Sequence, residues 1–395
     1  MQKFSADYIF PVSSPPIKNG ILIIDDQAKI VDVLYPEQYN SSLDDVRKFQ
    51  GIICPGFVNA HCHLELSYLK NKINQKKGLA DFIASVEKQK VLFKDKDFIT
   101  QTISEAEQEL VKNGIFAVGD IINSDTSYEI KRKSKIKFHN FIEVYSSNPA
   151  FAESAFNNGK ILFEKFNKYF PSSITQHAPY SVSPKLFELI KEHAIENNSI
   201  LSIHHQESAE ENKLFFEGKG KILELLKNFG TDTSYLKPFG KSPLQTISKY
   251  LSDKNNVQLV HNTYSKIEDI LFAKSYFNQL WWCFCPNANL FIENKLPDIP
   301  TFIAQNAEIT IGTDSLASNE NLSVLEELKT ISKTFPEISF ETLIKWSTLN
   351  GASFLKMNST LGSFDKGKQP GINLIENFDI QKMRLTAESK VTPLV

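Results

Sequence analysis

The chain has 395 residues, 41% of them apolar and 23% charged, an ordinary globular composition with enough length to bury a core without disulfide or metal staples. Its 44 basic and 46 acidic residues leave a formal charge of -2, so electrostatics gives no reason to expect nucleic acid or an anionic membrane as partner. The cysteines (Cys54, Cys62, Cys283, Cys285) form no CxxC pair, the start MQKFSADYIF has no apolar h-region, and no run of about 18 apolar residues exists; this argues against a zinc ribbon, secretion or a membrane span, with the cytoplasm as expected location.

From the N-terminus, residues 1–50 read as short strands, ADYIF and then GILIIDDQAKIVDVLY. Eight apolar runs follow: 52–61, 115–120, 136–144, 172–178, 199–205, 256–261, 280–286 and 307–314. Helices are predicted between them at 78–90, 97–113, 183–197, 242–253, 265–277 and 322–335. Ser183 stands as N-cap before Pro184, and Ser242 before Pro243. This alternation predicts an α/β fold, a (β/α)8 TIM-type barrel with its active residues at the C-terminal strand ends. GSFDKGKQPGINLI (362–375) is strand-like again. The β-rich ends, 1–51 and 361–395, are expected to pair as a small β-sandwich domain beside a barrel domain at 52–360. The stretch 208–255 is long for one connection, and reads either as a lid over the barrel mouth or as a surface helical insertion.

Most histidines fall at run ends. His61 and His63 close the first run, His177 the fourth, His204 and His205 the fifth, His261 the sixth, and Asp314 closes the eighth; only His139 and His193 lie elsewhere. In a strand, residues two apart share a face, so His61 and His63 can reach one metal ion. Three imidazoles (His61, His63, His204) and the Asp314 carboxylate leave a coordination position for water, as catalytic rather than structural sites do. Such an ion lowers the pKa of its water to about 7. Glu207, three residues after His204, can shuttle a proton to the substrate; the alternative is a strand-end salt bridge. His261 is placed to orient the water or polarise the substrate, unless it is a core histidine satisfied by backbone. His177 faces the same mouth and reads as a substrate contact. His205 should face away from His204.

PGFVNAHCHLE (55–65), HAPYSVS (177–183), HHQES followed by Glu210 and Glu211, LVHNTY (259–264), CPNANL (285–290), IGTDSLASN (311–319) and GSFDKGKQPGINLI together resemble the amidohydrolase superfamily. More narrowly, they resemble its branch of adenosine-analogue deaminases, guanine deaminases and chlorohydrolases. The resemblance implies one divalent ion, zinc with iron as the alternative, held by His61, His63, His204 and Asp314. The absence of a lysine from the fourth run fits a single ion. It also implies proton transfer by Glu207, His261 and Asp314, and hydrolytic deamination of an aminated purine-like ring or nucleoside analogue by metal-bound hydroxide. His177 would meet the ribose or other tail, Glu65 a ring edge or tail unless it backs the metal pair, and Ser318 and Asn319 the substrate. HLE, EVYSS and the region around GKSP are further similar to deaminases of 6-aminodeoxyfutalosine, the leading named substrate. A chlorohydrolase or cyclic amidohydrolase using the same site is the alternative; a non-catalytic scaffold would be expected to have lost the ligands. Two departures, no arginine in EVYSSNPAF and Cys285-Pro286 in place of asparagine–proline, bear on the substrate rather than the chemistry. The expected partners are a small-molecule substrate and, in assembly, a second copy of the chain as a homodimer.

Overall fold

The computed structural model describes residues 1–39 and 45–395. Among the described residues the chain opens with seven short strands: β1 (Gln2–Ser5), β2 (Tyr8–Ile9), β3 (Ile17–Lys18), β4 (Ile21–Ile24), β5 (Ile30–Leu34), β6 (Arg47–Lys48) and β7 (Ile52–Pro55). Eight more follow, β8 (Phe57–Cys62), β9 (Ile115–Ile122), β10 (Lys137–Val144), β11 (Ser172–Gln176), β12 (Leu201–His205), β13 (Val257–His261), β14 (Leu280–Phe284) and β15 (Glu308–Ile311). The chain ends on β16 (Ile372–Glu376) and β17 (Lys390–Pro393).

The two termini build one small sandwich. Its sheets run β5-β4-β1-β6 and β17-β16-β7-β2-β3, and Phe4, Ile9, Leu22, Ile24, Ile53 and Leu374 fill the space between them. The apolar run 52–61 is therefore two strands. Ile52–Pro55 pairs with β2 and β16 in the sandwich, and only Phe57–Cys62 enters the barrel. The chain crosses at Gly56, where a Cβ would stand 2.1 Å from the Phe116 ring and 2.6 Å from the Pro370 carbonyl oxygen. Within 362–375 the strand is confined to its last residues, because the turns before it hold Gly367 and Gly371 at φ 87° and 74°.

β8 to β11 and β12 to β15 form two parallel four-stranded sheets, which join along both edges. At one seam the His204 amide donates to the His177 carbonyl (2.9 Å) and Thr175 Oγ1 to the Ser202 carbonyl (2.8 Å). At the other, the amides of Thr313 and Asp314 donate to the His61 carbonyl (3.0 and 3.1 Å). The eight strands thus close on themselves as a (β/α)8 barrel. Val58, Ala60, Ala117, Phe141, Val260 and Trp281 plug its interior, while a larger apolar layer joins strands to helices.

Five predicted helices are present, at Leu79–Leu92, Lys96–Lys112, Pro184–Glu196, Ile267–Tyr276 and Val324–Thr334, whereas the one expected over 242–253 is confined to Pro243–Ile247 and gives way to a 3-10 turn at Ser248–Tyr250. Ser242 caps its helix through the Gln245 amide (3.3 Å), whereas the Ser183 hydroxyl makes no capping bond. The helix Ala152–Phe166 fills the gap between β10 and β11 that the sequence reading left open. The 208–255 connection folds into the helices Ala209–Glu217, Lys221–Asn228 and Pro243–Ile247. Ile222 and Leu226 of the second pack with Leu79, Tyr180 and Ile292, which sets that helix over the mouth of the barrel. Among the described residues, no helix is long and apolar enough to cross a membrane.

Candidate metal centre and active site

Plain alternation along β8 would carry Val58, Ala60 and Cys62 to the same side. Instead Cys62 packs with the outer layer while Val58 and Ala60 stay inside. The change of parity falls where the pairing of β8 with β9 shifts register, between Asn59 and Cys62. A bulge at a strand end re-aims side chains, and here it turns His61 toward the barrel axis. His63 lies just beyond the strand, its ring centroid 4.9 Å from that of His61. Asp314 reaches the same point from the end of the last strand unit, and His204 from the end of β12.

His63 Nε2 lies 3.1 Å from both His61 Nε2 and His204 Nε2, and Asp314 Oδ1 lies 3.4 Å from His63 Nε2 and 3.6 Å from His61 Nε2. Ligand nitrogens about 2.0–2.1 Å from a tetrahedral zinc ion stand about 3.3 Å apart. The observed edges therefore have the size of a coordination shell. Burial pushes the pKa of His61, His63, His204 and His261 down, which favours the neutral imidazole that a metal ion requires. Burial alone would push the Asp314 carboxyl up, but hydrogen bonding to His61 and the fields of His63 and His261 hold it well below the usual carboxylate range. These donors fit a single divalent ion.

Around the cluster stand the proton-handling candidates. Glu207 is buried, and its Oε2 is 3.7 Å from His261 Nε2. Burial, with the charges of Asp314 and Glu293, pushes its pKa well above the ordinary glutamate value. Its backbone is held by Glu211, whose carboxylate accepts from the amides of Gln206 (3.0 Å) and Glu207 (2.8 Å). His261 is anchored through Nδ1 to Asn289 Oδ1 at 2.8 Å, which turns Nε2 toward the cluster. His261 and Asp314 both take left-handed backbone, φ 75° and 59°, a conformation uncommon outside glycine but one that asparagine, aspartate and histidine adopt more readily than other residues.

The cluster forms the floor of a cavity of about 830 Å³. Leu79, Phe82, Val86, Ile222, Leu225 and Phe229 wall it, so one helix of the 208–255 connection lines the mouth. His177 faces this cavity, its ring centroid 4.8 Å from that of His204. His205 points away, bonded through Nδ1 to Asn262 Oδ1 (3.1 Å).

Three expected substrate contacts lie elsewhere. The Glu65 carboxylate is spent on the amides of Asn123 (2.9 Å) and Ser124 (3.1 Å) and on the Ser124 hydroxyl (2.8 Å), clamping the turn after β9. The Ser318 hydroxyl donates to Asp314 Oδ2, and so steadies a candidate ligand. Asn319 Nδ2 donates to the Thr313 carbonyl (2.8 Å) and to Glu327 (2.7 Å). Proximity to a metal-site motif did not distinguish facing the substrate from bracing the loop. Sequence reasoning missed Glu143, at the end of β10, whose Oε1 lies 3.4 Å from His204 Nδ1 and which lines the cavity. It closes an apolar run just as the histidines do, so the same signal was available.

Residues 52–392 match the family model described as Amidohydrolase family. A 5-methylthioadenosine/S-adenosylhomocysteine deaminase of Thermococcus sibiricus is 24% identical over 389 residues, covering 87% of this chain and 81% of that protein. An aminodeoxyfutalosine deaminase of Nitratiruptor is 24% identical over 335 residues, 82% and 79% of the two chains. In structure, the chain resembles Helicobacter pylori aminofutalosine deaminase in complex with methylthio-coformycin, with a TM-score of 0.82 at 21% identity over 98% of this chain and 94% of that one. It also resembles an adenosine deaminase from Xanthomonas campestris with bound zinc, with a TM-score of 0.75 at 18% identity over 95% and 84%. At these identities the structural likenesses speak to the fold.

Proposed function

The chain belongs to the amidohydrolase family, and from that premise we propose that it is a metal-dependent deaminase of a purine-like ring in a nucleoside-type substrate, with 6-aminodeoxyfutalosine as the first compound to try. The observation that carries this reading is Glu207: a buried carboxyl with a raised pKa, at the floor of a cavity, beside a set of donors sized for one divalent ion. Two of the similar proteins, cited above, are named as deaminases of adenosine-type compounds.

His61, His63, His204 and Asp314 would hold the ion, zinc by preference of the donor set. When bound, such an ion supplies Lewis acidity and makes a water acidic near neutral pH. Asp314, kept ionised, would accept a proton from the attacking water. His261, its Nδ1 committed to Asn289, presents Nε2 as an acceptor that orients the attacking water. Glu207, whose burial favours the protonated carboxyl, would donate to the ring nitrogen next to the amino-bearing carbon, and that carbon becomes more electrophilic. Water adds to the carbon, the C–N bond breaks, and ammonia leaves with the proton that Asp314 or Glu207 returns.

The test is ammonia release by zinc-loaded enzyme from aminopurine nucleosides, guanine, cytosine and 6-aminodeoxyfutalosine. Rapid release from one of the nucleosides is expected. Silence across the panel, with metal verified in the protein, would overturn deamination and direct the search to C–Cl or cyclic-amide substrates.

A further inference from the structure

Away from the cavity, Asp120 and Lys131 form a fully buried ion pair that the proposed chemistry does not use. Asp120 stands in β9 and is 0% exposed; Lys131 comes from the short helix Tyr128–Lys133 and is 1% exposed. Lys131 Nζ lies 2.5 Å from Asp120 Oδ2 and donates to Asn140 Oδ1 at 2.6 Å. Otherwise it faces the rings of Phe138 and Phe166, 5.2 and 5.5 Å from their centroids. Taking two charges out of water is unfavourable, and well-packed apolar side chains of the same volume are often as stable. Stability alone is thus a weak reason for the pair.

The other oxygen of the carboxylate holds the chain next to a candidate metal ligand. Asp120 Oδ1 accepts from the Leu64 amide at 2.9 Å. Leu64 follows His63, and both lie beyond the end of β8. Cys62 is the last residue of β8 paired with β9, opposite Asp120 itself, and the register has already shifted between Asn59 and Cys62. Where the pairing ends, the Asp120 side chain stands in for a ladder acceptor. The next residue, Glu65, is gripped from the same side through the amides of Asn123 and Ser124. β10 braces the arrangement from behind, since Asn140, which takes the second bond of Lys131, is paired with Asp120 across the two strands. A contact path therefore runs from β10 through Lys131 and Asp120 to the Leu64 amide and His63. His63 Nε2 stands 3.1 Å from two other ligand nitrogens, and such a constellation works only within about 0.5 Å of its geometry.

We propose that Asp120 and Lys131 are positioning residues of the metal centre: Lys131 fixes the Asp120 carboxylate, which fixes the Leu64 amide and so His63. The inference rests on the reading of His61, His63, His204 and Asp314 as metal ligands, and on no choice of substrate. The experiment compares two double variants, each of which removes both charges together so that neither is left buried alone. Asp120→Asn with Lys131→Met keeps an acceptor oxygen for the Leu64 amide. Asp120→Leu with Lys131→Met keeps the volume and loses the acceptor. Zinc Kd is read by competition with a chromogenic chelator, and ligand geometry by the visible spectrum of the cobalt(II) form. The first double variant is expected to match wild type in both. The second should bind zinc roughly 10- to 100-fold more weakly, with a changed cobalt spectrum.

Equal affinities and spectra in wild type and both variants would overturn the proposal and leave a core ion pair. An equal loss in both would overturn it as well, because the acceptor for Leu64 would then not matter. Hydrogen exchange at the Leu64 amide of the zinc-free wild type decides the matter without a variant, should the second one not fold. Protection in the absence of metal supports a preformed hold by Asp120, and exchange as fast as in an open turn overturns it. A wild type that takes up no zinc would instead sink the metal-centre reading on which the proposal rests.

Discussion

Glu207 and Asp314 are both buried carboxyl groups on one cavity floor, and their surroundings drive them in opposite directions. Asp314 faces imidazoles, which hold its carboxyl well below the usual carboxylate range, whereas burial and the charges of Asp314 and Glu293 push Glu207 well above the ordinary glutamate value. Such a pair separates the acid from the base. Glu207→Gln is therefore expected to keep its metal, by elemental analysis, while kcat falls roughly 10²- to 10⁴-fold; near-normal turnover would remove Glu207 from the mechanism. Glu327 shows the same physics away from the chemistry. Burial outweighs its bonds from the Asn287 amide (2.8 Å) and Asn319 Nδ2 (2.7 Å), and pushes its pKa from 4.5 to about 8. The folded state then holds a proton that the unfolded chain releases above 4.5, so the contribution is full at low pH and lost as pH rises through about 8. The wild-type melting midpoint should fall more steeply across that window than that of Glu327→Gln, and parallel curves would refute the assignment. At this scale the candidate metal ligands were legible, because histidines and an aspartate closing apolar runs have few other uses. Glu65, Ser318 and Asn319 were not, because their bonding partners lie on segments the motif does not contain.

A strand end places a ligand only if the neighbouring elements approach closely enough. Gly312, between β15 and Asp314, is one such close approach. A Cβ there would lie 2.8 Å from His61 Cβ, 2.9 Å from its carbonyl oxygen and 3.0 Å from Cys285 Sγ. Gly312→Ala should open the seam between the first and last barrel strands. A loss of about 1–3 kcal/mol of stability is expected, with less metal per chain, both measurable on the purified variant; a normal metal content would show that the seam can yield. The eight strand runs were readable from apolar patterning alone. The break at Gly56, the bulge that re-aims His61 and the helix Ala152–Phe166 were not, since the first two depend on what packs alongside and the third on an apolar face interrupted by polar residues.

For the molecule as a whole, four donors from separated parts of the chain share one small volume. Chelation should lower the melting midpoint and abolish activity together, and zinc should restore both. An ion held at about 100 times its Kd stabilises by about 2.7 kcal/mol. A midpoint indifferent to chelator, with metal shown to have left, would mean that the cluster is not a metal centre. By itself the sequence determined the barrel, the paired β-rich ends and which side chains crowd the strand ends, because periodicity and residue chemistry are local properties. Only the tertiary structure decided which of those side chains meet the cavity, which brace a loop, and that Asp120 holds the amide next to His63. Those outcomes depend on distances between segments as far apart as His61 and Asp314, and no spacing along the chain encodes them.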